Sequence, residues 1–192
     1  IEEKDLMNKL YFDGCRLGEV LDNVASIEPI FRDADIVGMD LKCLSWQATA
    51  DPLKGQPNGI DSRTICALSR YAGISDRVSF LGIYEIPSTP MTDQLLSQIV
   101  WYFLEGYALR FDEYPVAVNQ GFLKYTVPLS NQTLVFYKSE KSQRWWLELT
   151  NDSHLNNKSK KATLLACTEK DYQSATHDNV PERWYNAVRR MH

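Results

Sequence analysis

Residues 34–60 read ADIVGMDLKCLSWQATADPLKGQPNGI. Residues 35–41, DIVGMDL, are β-branched and almost continuously apolar, the character of a strand covered on both faces in a parallel sheet. The run ends at Asp40, and Lys42 stands two places on. Side chains at i and i+2 leave a strand on the same side, so an Asp-x-Asp at this point would offer two carboxylates to a metal ion. Here the second position is an ammonium. Residues 45–62 are rich in Pro, Gly, Asn and polar side chains and read as a long loop.

Ser62–Tyr71 reads as a helix that Gly73 terminates, and residues 77–86, RVSFLGIYEI, as a second buried strand. Strand, loop, helix and strand make a crossover unit, whose strands run parallel with a right-handed connection. Its geometry brings the strand ends, Asp40 and Glu85, to one edge of the sheet, where open α/β sheets bind ligands. Upstream, residues 1–11 read as a helix and Asp13-Gly14 as a turn. Leu17, Val20, Leu21, Val24 and Ile27 repeat at helical spacing until Glu28-Pro29 closes the pattern.

Thr92–Tyr107 reads as a deeply packed helix with Thr92 as its N-cap and Leu96, Ile99, Val100, Phe103, Leu104 and Tyr107 along one stripe. Trp101, Tyr102 and Phe103 are expected in the core. After Pro115 the pattern changes. Residues 122–150 alternate apolar and polar side chains around turns at Ser130-Asn131 and Ser139–Gln143, the signature of an antiparallel meander. A polar loop over 151–161, a short strand over 162–168 and helices over Glu169–Thr176, capped by Thr168, and Pro181–Met191 follow. The expected organisation is an α/β part over 1–115, and a meander with helices over 116–192 packed on the same domain.

At 192 residues, 44% hydrophobic and 24% charged, the chain can bury a sizeable core. A net charge of −4 supplies no general attraction to phosphate. The basic clusters Lys158–Lys161 and Arg189-Arg190 are short, so neither nucleic acid nor membrane is expected as a partner. Cys15, Cys43, Cys66 and Cys167 lack C-x-x-C and zinc-site spacings and read as buried thiols of a reducing compartment, the cytoplasm. The N-x-S/T triplets at Asn131, Asn151 and Asn157 read as chance occurrences in polar loops. The chain opens on Ile1, which reads as a processed piece or a portion of a longer protein.

The order of residues 10–41 (LYFDGCRLGEVLDNVASIEPIFRDADIVGMDL), 57–60 (PNGI), 70–86 (RYAGISDRVSFLGIYEI) and 98–107 (QIVWYFLEGY) resembles the C-terminal half of the arginase, agmatinase and formimidoylglutamase family. FYKS at 136–139 and RWW at 144–146 are similar to the meander of formimidoylglutamase-like members. The resemblance implies a three-layer α/β/α sandwich with a mostly parallel sheet. It also implies hydrolysis of linear amidine or guanidine carbon–nitrogen bonds, as in histidine degradation, by two manganese ions that activate a bridging water. Homo-oligomers are common in the family.

The resemblance places Asp40 on the first aspartate of the family's late Asp-x-Asp metal group and Lys42 on the second. It assigns Glu85 to the substrate's planar cation, and aligns Asn58-Gly59 with a Gly-Gly or Asn-Gly turn at the substrate. Gly59 there is expected to serve a positive φ. Asp51-Pro52 echoes an Asp-Pro that follows the family's metal aspartates. The family's early histidine and its Asp-x-His-x-Asp group have no counterpart, because His154, His177 and His192 all lie after the second strand. A preceding half of the same protein would supply them.

Three readings follow. One is a formimidoylglutamase-like hydrolase portion with an incomplete dimanganese site. Another is a metal-free binding or interaction protein of the same fold, in which the Lys42 ammonium takes the place of a metal charge and pairs with Asp40 or Glu85. In the third, Lys42 lowers the pKa of Cys43 and makes it a nucleophile, against a buried structural role for that cysteine.

Overall fold

The computed structural model describes residues 2–190 except 52, 54, 115, 117, 119, 131 and 150–162. The α-helices are α1 (Glu2–Lys9), α2 (Leu17–Asp22), α3 (Glu28–Arg32), α4 (Trp46–Thr49), α5 (Ser62–Ile74), α6 (Pro90–Ala108), α7 (Glu169–Thr176) and α8 (Glu182–Arg190). The strands are β1 (Ile36–Asp40), β2 (Phe80–Tyr84), β3 (Phe122–Pro128), β4 (Thr133–Ser139), β5 (Trp145–Leu149) and β6 (Thr163–Cys167). The chain is mixed α/β and divides into two compact units: Cys15–Tyr114, and Pro115–His192 together with Ile1–Gly14. Helix α1 therefore groups with the C-terminal unit and not with the α/β part.

In the α/β unit, β1 and β2 pair in parallel with Ile36 beside Phe80 and Asp40 beside Tyr84. Helix α5 is the crossover between them; the Asp61 side chain caps it by accepting from the Thr64 N–H at 2.7 Å. Val37 and Met39 point into a core with Leu41, Leu44, Ile65, Ala72, Leu95 and Ile99, and Leu81 and Ile83 pack on it from β2. The opposite face is largely exposed, and its one buried position, Gly82, lies against the Tyr84 ring. Ile36 is 67% exposed, Phe80 and Tyr84 are each 53% exposed, and Gly38 and Asp40 are exposed between them. The strands are therefore covered on one face, not both: a nearly continuous apolar run does not by itself say whether a second layer is present.

Helices α5 and α6 cross closely at two glycines. A Cβ on Gly73 would collide with the Phe103 carbonyl oxygen, and one on Gly106 would collide with the Arg70 carbonyl oxygen and come within 2.8 Å of the Ile74 nitrogen. Ser69 Oγ donates to the Ile99 carbonyl at 2.7 Å in the same buried seam. Gly73 is thus a contact glycine inside α5 rather than its terminator. Helix α6 begins two residues earlier than expected, with Thr89 as N-cap and Pro90 in the first turn, because Thr89 Oγ1 accepts from the Thr92 N–H. Only Thr92, Leu95, Ile99 and Gly106 of α6 are buried. Trp101 is 68% exposed, and Val100, Tyr102, Leu104 and Tyr107 are also exposed, so the expected deep packing of this helix holds only along a narrow stripe.

Pro29 does not close the helical stretch before β1. The pattern breaks at Asn23 into a 3-10 turn over Val24–Ile27, and α3 then starts with Pro29 in its first turn, where its missing N–H has no partner to lose. The segment after α6 is tied down by side chains. Arg110 donates to the carbonyls of Gly73 at 2.9 Å and Val78 at 2.6 Å, and the Asp76 carboxylate accepts from the N–H groups of Phe111, Asp112 and Glu113. Arg77 makes a two-pronged contact with Asp35, at 2.7 and 2.8 Å, which joins the starts of β1 and β2. That pairing holds the Asp35 carboxyl below the ordinary carboxylate range and the Arg77 guanidinium above its own.

The second unit is a four-stranded antiparallel sheet in the order β3-β4-β5-β6. Leu134, Phe136, Trp145, Leu147, Leu165 and Trp184 form its core. The Trp145 ring stacks on Tyr172 of α7 with centroids 4.8 Å apart. Thr168 and Asp171 form a capping box at the start of α7, where the sequence places it. Tyr137 donates to the Glu148 carboxylate at 2.9 Å; burial first, then that bond and charge, push its phenol up to about 12. Asp13 meets Arg183 at 3.3 Å and Arg190 at 3.7 Å. The three N-x-S/T asparagines and Lys158–Lys161 lie outside the described residues. Among the described residues no helix is long and apolar enough to cross a membrane.

Candidate functional site

The carboxyl edge of the parallel sheet is built by the turns that follow β1 and β2. After Asp40 the chain enters a 3-10 turn over Leu41–Cys43, which Asp40 caps: its Oδ1 accepts from the Lys42 N–H at 2.9 Å. Leu41 is buried, so the turn is pinned from below and Lys42 is held at the surface. After Tyr84 the backbone turns at Glu85 with φ +52°, a left-handed conformation uncommon for a residue with a Cβ. The consequence is a direct ion pair, with Lys42 Nζ 3.2 Å from Glu85 Oε2.

The sequence-marked residues Asp40, Lys42 and Glu85 thus do converge on one edge. Their arrangement differs from a metal site. The Asp40 carboxylate is engaged by its own turn, and the Glu85 carboxylate faces an ammonium in place of a dication. Two adjacent divalent ions need several carboxylates and imidazoles to offset their repulsion, and an ammonium among the donors adds to that repulsion. Among the described residues no three His, Cys, Asp or Glu side chains come together as a metal-binding group. The described residues at this edge do not fit a dimanganese centre.

The other expected positions are distributed differently. Asp51 Oδ1 accepts from the Leu53 N–H at 3.0 Å within its own loop, and Pro52 lies outside the described residues. His177 sits at the C-terminal end of α7, exposed, with Nδ1 2.8 Å from the Gln173 carbonyl oxygen. His154 and His192 lie outside the described residues.

The described residues of 45–62 hold more regular structure than the expected long loop. Helix α4 lies within them, capped by Ser45, and parallel bridges join Leu44 to Ile60 and Ser45 to Gln56. The Ile60 N–H donates to the Cys43 carbonyl at 2.8 Å. Gly59 is required for this lacing. A Cβ there would stand 2.5 Å from the Leu44 carbonyl carbon and the Ser45 nitrogen. Its φ is not in the left-handed range, so close approach, and not the expected positive φ, is the reason for the glycine.

Asn58 and Gly59 line a cleft of about 530 Å³ together with Cys15, Leu17, Val20, Cys43, Gln56, Pro57 and Ile60. Sequence reasoning missed this cleft, because Cys15 and Leu17 carry no motif that links them to the loop. Cys15 and Cys43 are exposed, while Cys66 and Cys167 are buried, so the expectation of buried thiols holds for two of the four. Loss of water around the Cys43 sulfur, and then the nearby Asp40 carboxylate, push its thiol above the ordinary range. Lys42 does not activate it; the nucleophile reading of Cys43 loses its physical basis.

Comparison with protein families, curated proteins and solved structures finds no match to this chain.

Proposed function

We propose that the chain is a ureohydrolase-type α/β protein that acts as a binding or interaction partner, and that its strand-end site is neutralised by its own lysine. The Lys42–Glu85 pair carries this reading. It sets a protein cation at the place where the family resemblance puts a metal ligand, beside a carboxylate that the resemblance assigns to a cationic substrate. A substrate amidine or guanidine would have to displace Lys42 to reach Glu85.

The exposed Ile36, Phe80 and Tyr84 on one face of β1 and β2 support the interaction role. A parallel sheet is ordinarily covered on both faces, and a three-layer sandwich would add a second helical layer and further strands. We propose that another copy or a preceding part of the same protein supplies them, in the cytoplasm. Size measurement of the chain over a dilution series tests this part: self-association that Phe80→Asp or Ile36→Asp abolishes supports another copy as the covering layer.

A second reading is favoured by the left-handed Glu85, since strained backbone clusters at functional sites. It is a formimidoylglutamase-like hydrolase whose remaining manganese ligands come from a preceding part of the protein. Ammonia or formamide release from formimidoylglutamate by the full reading frame distinguishes the two. No release supports the binding role, and manganese-dependent release supports the hydrolase.

A further inference from the structure

The α/β unit carries two exposed apolar surfaces that do not meet within one copy. On the exposed face of the sheet, Ile36 and Phe80 are register partners on β1 and β2. The Tyr84 ring leans back along β2 into space that two glycines leave. A Cβ on Gly82 would collide with the Tyr84 hydroxyl, and one on Gly38 would stand 3.5 Å from the ring. The ring thus fills the step between Tyr84 and the Ile36–Phe80 pair, and the three side chains make one patch. The second surface is on α6. Val100, Leu104 and Tyr107 recur there at i, i+4 and i+7 with Trp101 beside them, each between 41% and 68% exposed. Leu95 and Ile99 of the same helix share the core with Val37 and Met39, so α6 lies on the covered side of the strands.

We infer that α6 of one copy packs on the exposed β1–β2 face of the next, head to tail. This rests on the reading that another copy covers that face, and it names the element that does so. A parallel sheet takes helices on its faces, and α6 is a 19-residue helix with an apolar stripe left over. The two surfaces match in length. From Val100 to Tyr107 the stripe rises roughly 10 Å, and from Ile36 to Asp40 the face runs roughly 13 Å. Given the roughly 150–250 Å² that an aromatic side chain can bury, each surface offers roughly 300–400 Å² of apolar area. Interfaces are a little over half non-polar, so this corresponds to roughly 500–700 Å² per partner, at the lower end of a standard, dilution-sensitive contact. Residues 100–104, VWYFL, bring no charge to be desolvated, and Asp40 at the end of the face already bonds its own turn. Because each copy uses a different surface, the contact passes from copy to copy as a ring or an open chain.

Sedimentation velocity of the full chain over a dilution series tests this. The wild-type chain should reach masses above a dimer as concentration rises. Phe80→Asp and Trp101→Asp should each stay monomeric. An equimolar mixture of the two should form a dimer with one chain of each, which grows no further because only one intact face and one intact stripe remain. Thermal unfolding like that of the wild type shows that both variants are folded, and Leu104→Ser, a milder change on the same stripe, should weaken assembly in the same direction. A mixture that stays monomeric, a wild-type assembly that stops at a dimer, or Trp101→Asp and Leu104→Ser chains that assemble as the wild type does would each overturn the α6 contact. If Phe80→Asp abolishes assembly in those cases, another copy still covers the face through a different element. A wild-type chain that is monomeric throughout would overturn both the contact and the covering copy.

Discussion

Lys42 Nζ lies 3.2 Å from Glu85 Oε2 and joins the turns at the carboxyl ends of two neighbouring parallel strands. Both side chains are more than half exposed, 63% and 56%, so water screens the pair and side-chain ordering offsets much of its attraction. Lys42→Ala should therefore lower stability by less than about 1 kcal/mol, with a smaller effect in high salt. Urea unfolding at two salt concentrations measures this. A much larger loss would mean that the pair is a structural keystone and not a surface device of the site.

The glycine crossing of α5 and α6 predicts the opposite outcome. Gly73→Ala and Gly106→Ala each place a Cβ against the neighbouring helix's backbone, which cannot yield as a flexible side chain can. Each should destabilise by about 1–3 kcal/mol or more. Gly18→Ala, in an open position on α2, should be neutral or stabilising by up to about 1 kcal/mol. Thermal unfolding of the three variants gives the comparison.

Asp76 predicts a loss without a cavity. Asp76→Ala leaves the N–H groups of Phe111, Asp112 and Glu113 without their shared acceptor and should cost about 1–3 kcal/mol, moderated where water replaces it. Faster amide exchange confined to residues 110–114 is the local signature.

Tyr137 sets an alkaline limit. Its folded phenol is raised from the ordinary value near 10 to about 12, so the unfolded chain ionises first. The contribution is fully present below the unfolded value and is lost as pH rises from about 10 through about 12. Ultraviolet titration should show one late phenol that Tyr137→Phe removes, with a flatter alkaline stability profile in that variant.

The chain's apolar surface can be tested on α6. Trp101→Ser and Leu104→Ser alter exposed side chains of α6, so each should leave stability within about 0.5 kcal/mol while reducing self-association or aggregation. Light scattering beside thermal unfolding separates the two effects. A large stability loss would contradict the exposed placement.

Legibility in the sequence followed the range of the signal. The strands around Val37 and Leu81, the Thr168 cap of α7 and the meander over β3–β5 rest on local periodicity and turn chemistry, and each forms. Gly73 near a helix end looks the same as a terminator until Phe103 packs against it. Trp101 looks like a core residue because periodicity tells which residues are apolar, not how much of a helix is covered. Lys42 and Glu85 were within reach because a crossover places successive strand ends together. Cys15 and the loop at Asn58 meet only through tertiary packing, which no spacing rule encodes.

In the proposed reading the strand-end site holds its own ammonium, Lys42, and not a pair of metal ions. Manganese stoichiometry of the purified chain, measured by calorimetry and by elemental analysis after gel filtration, decides it. Far fewer than two ions per chain are expected. Two tightly bound manganese ions per chain, with weaker binding in Asp40→Ala and Glu85→Ala, would overturn that reading.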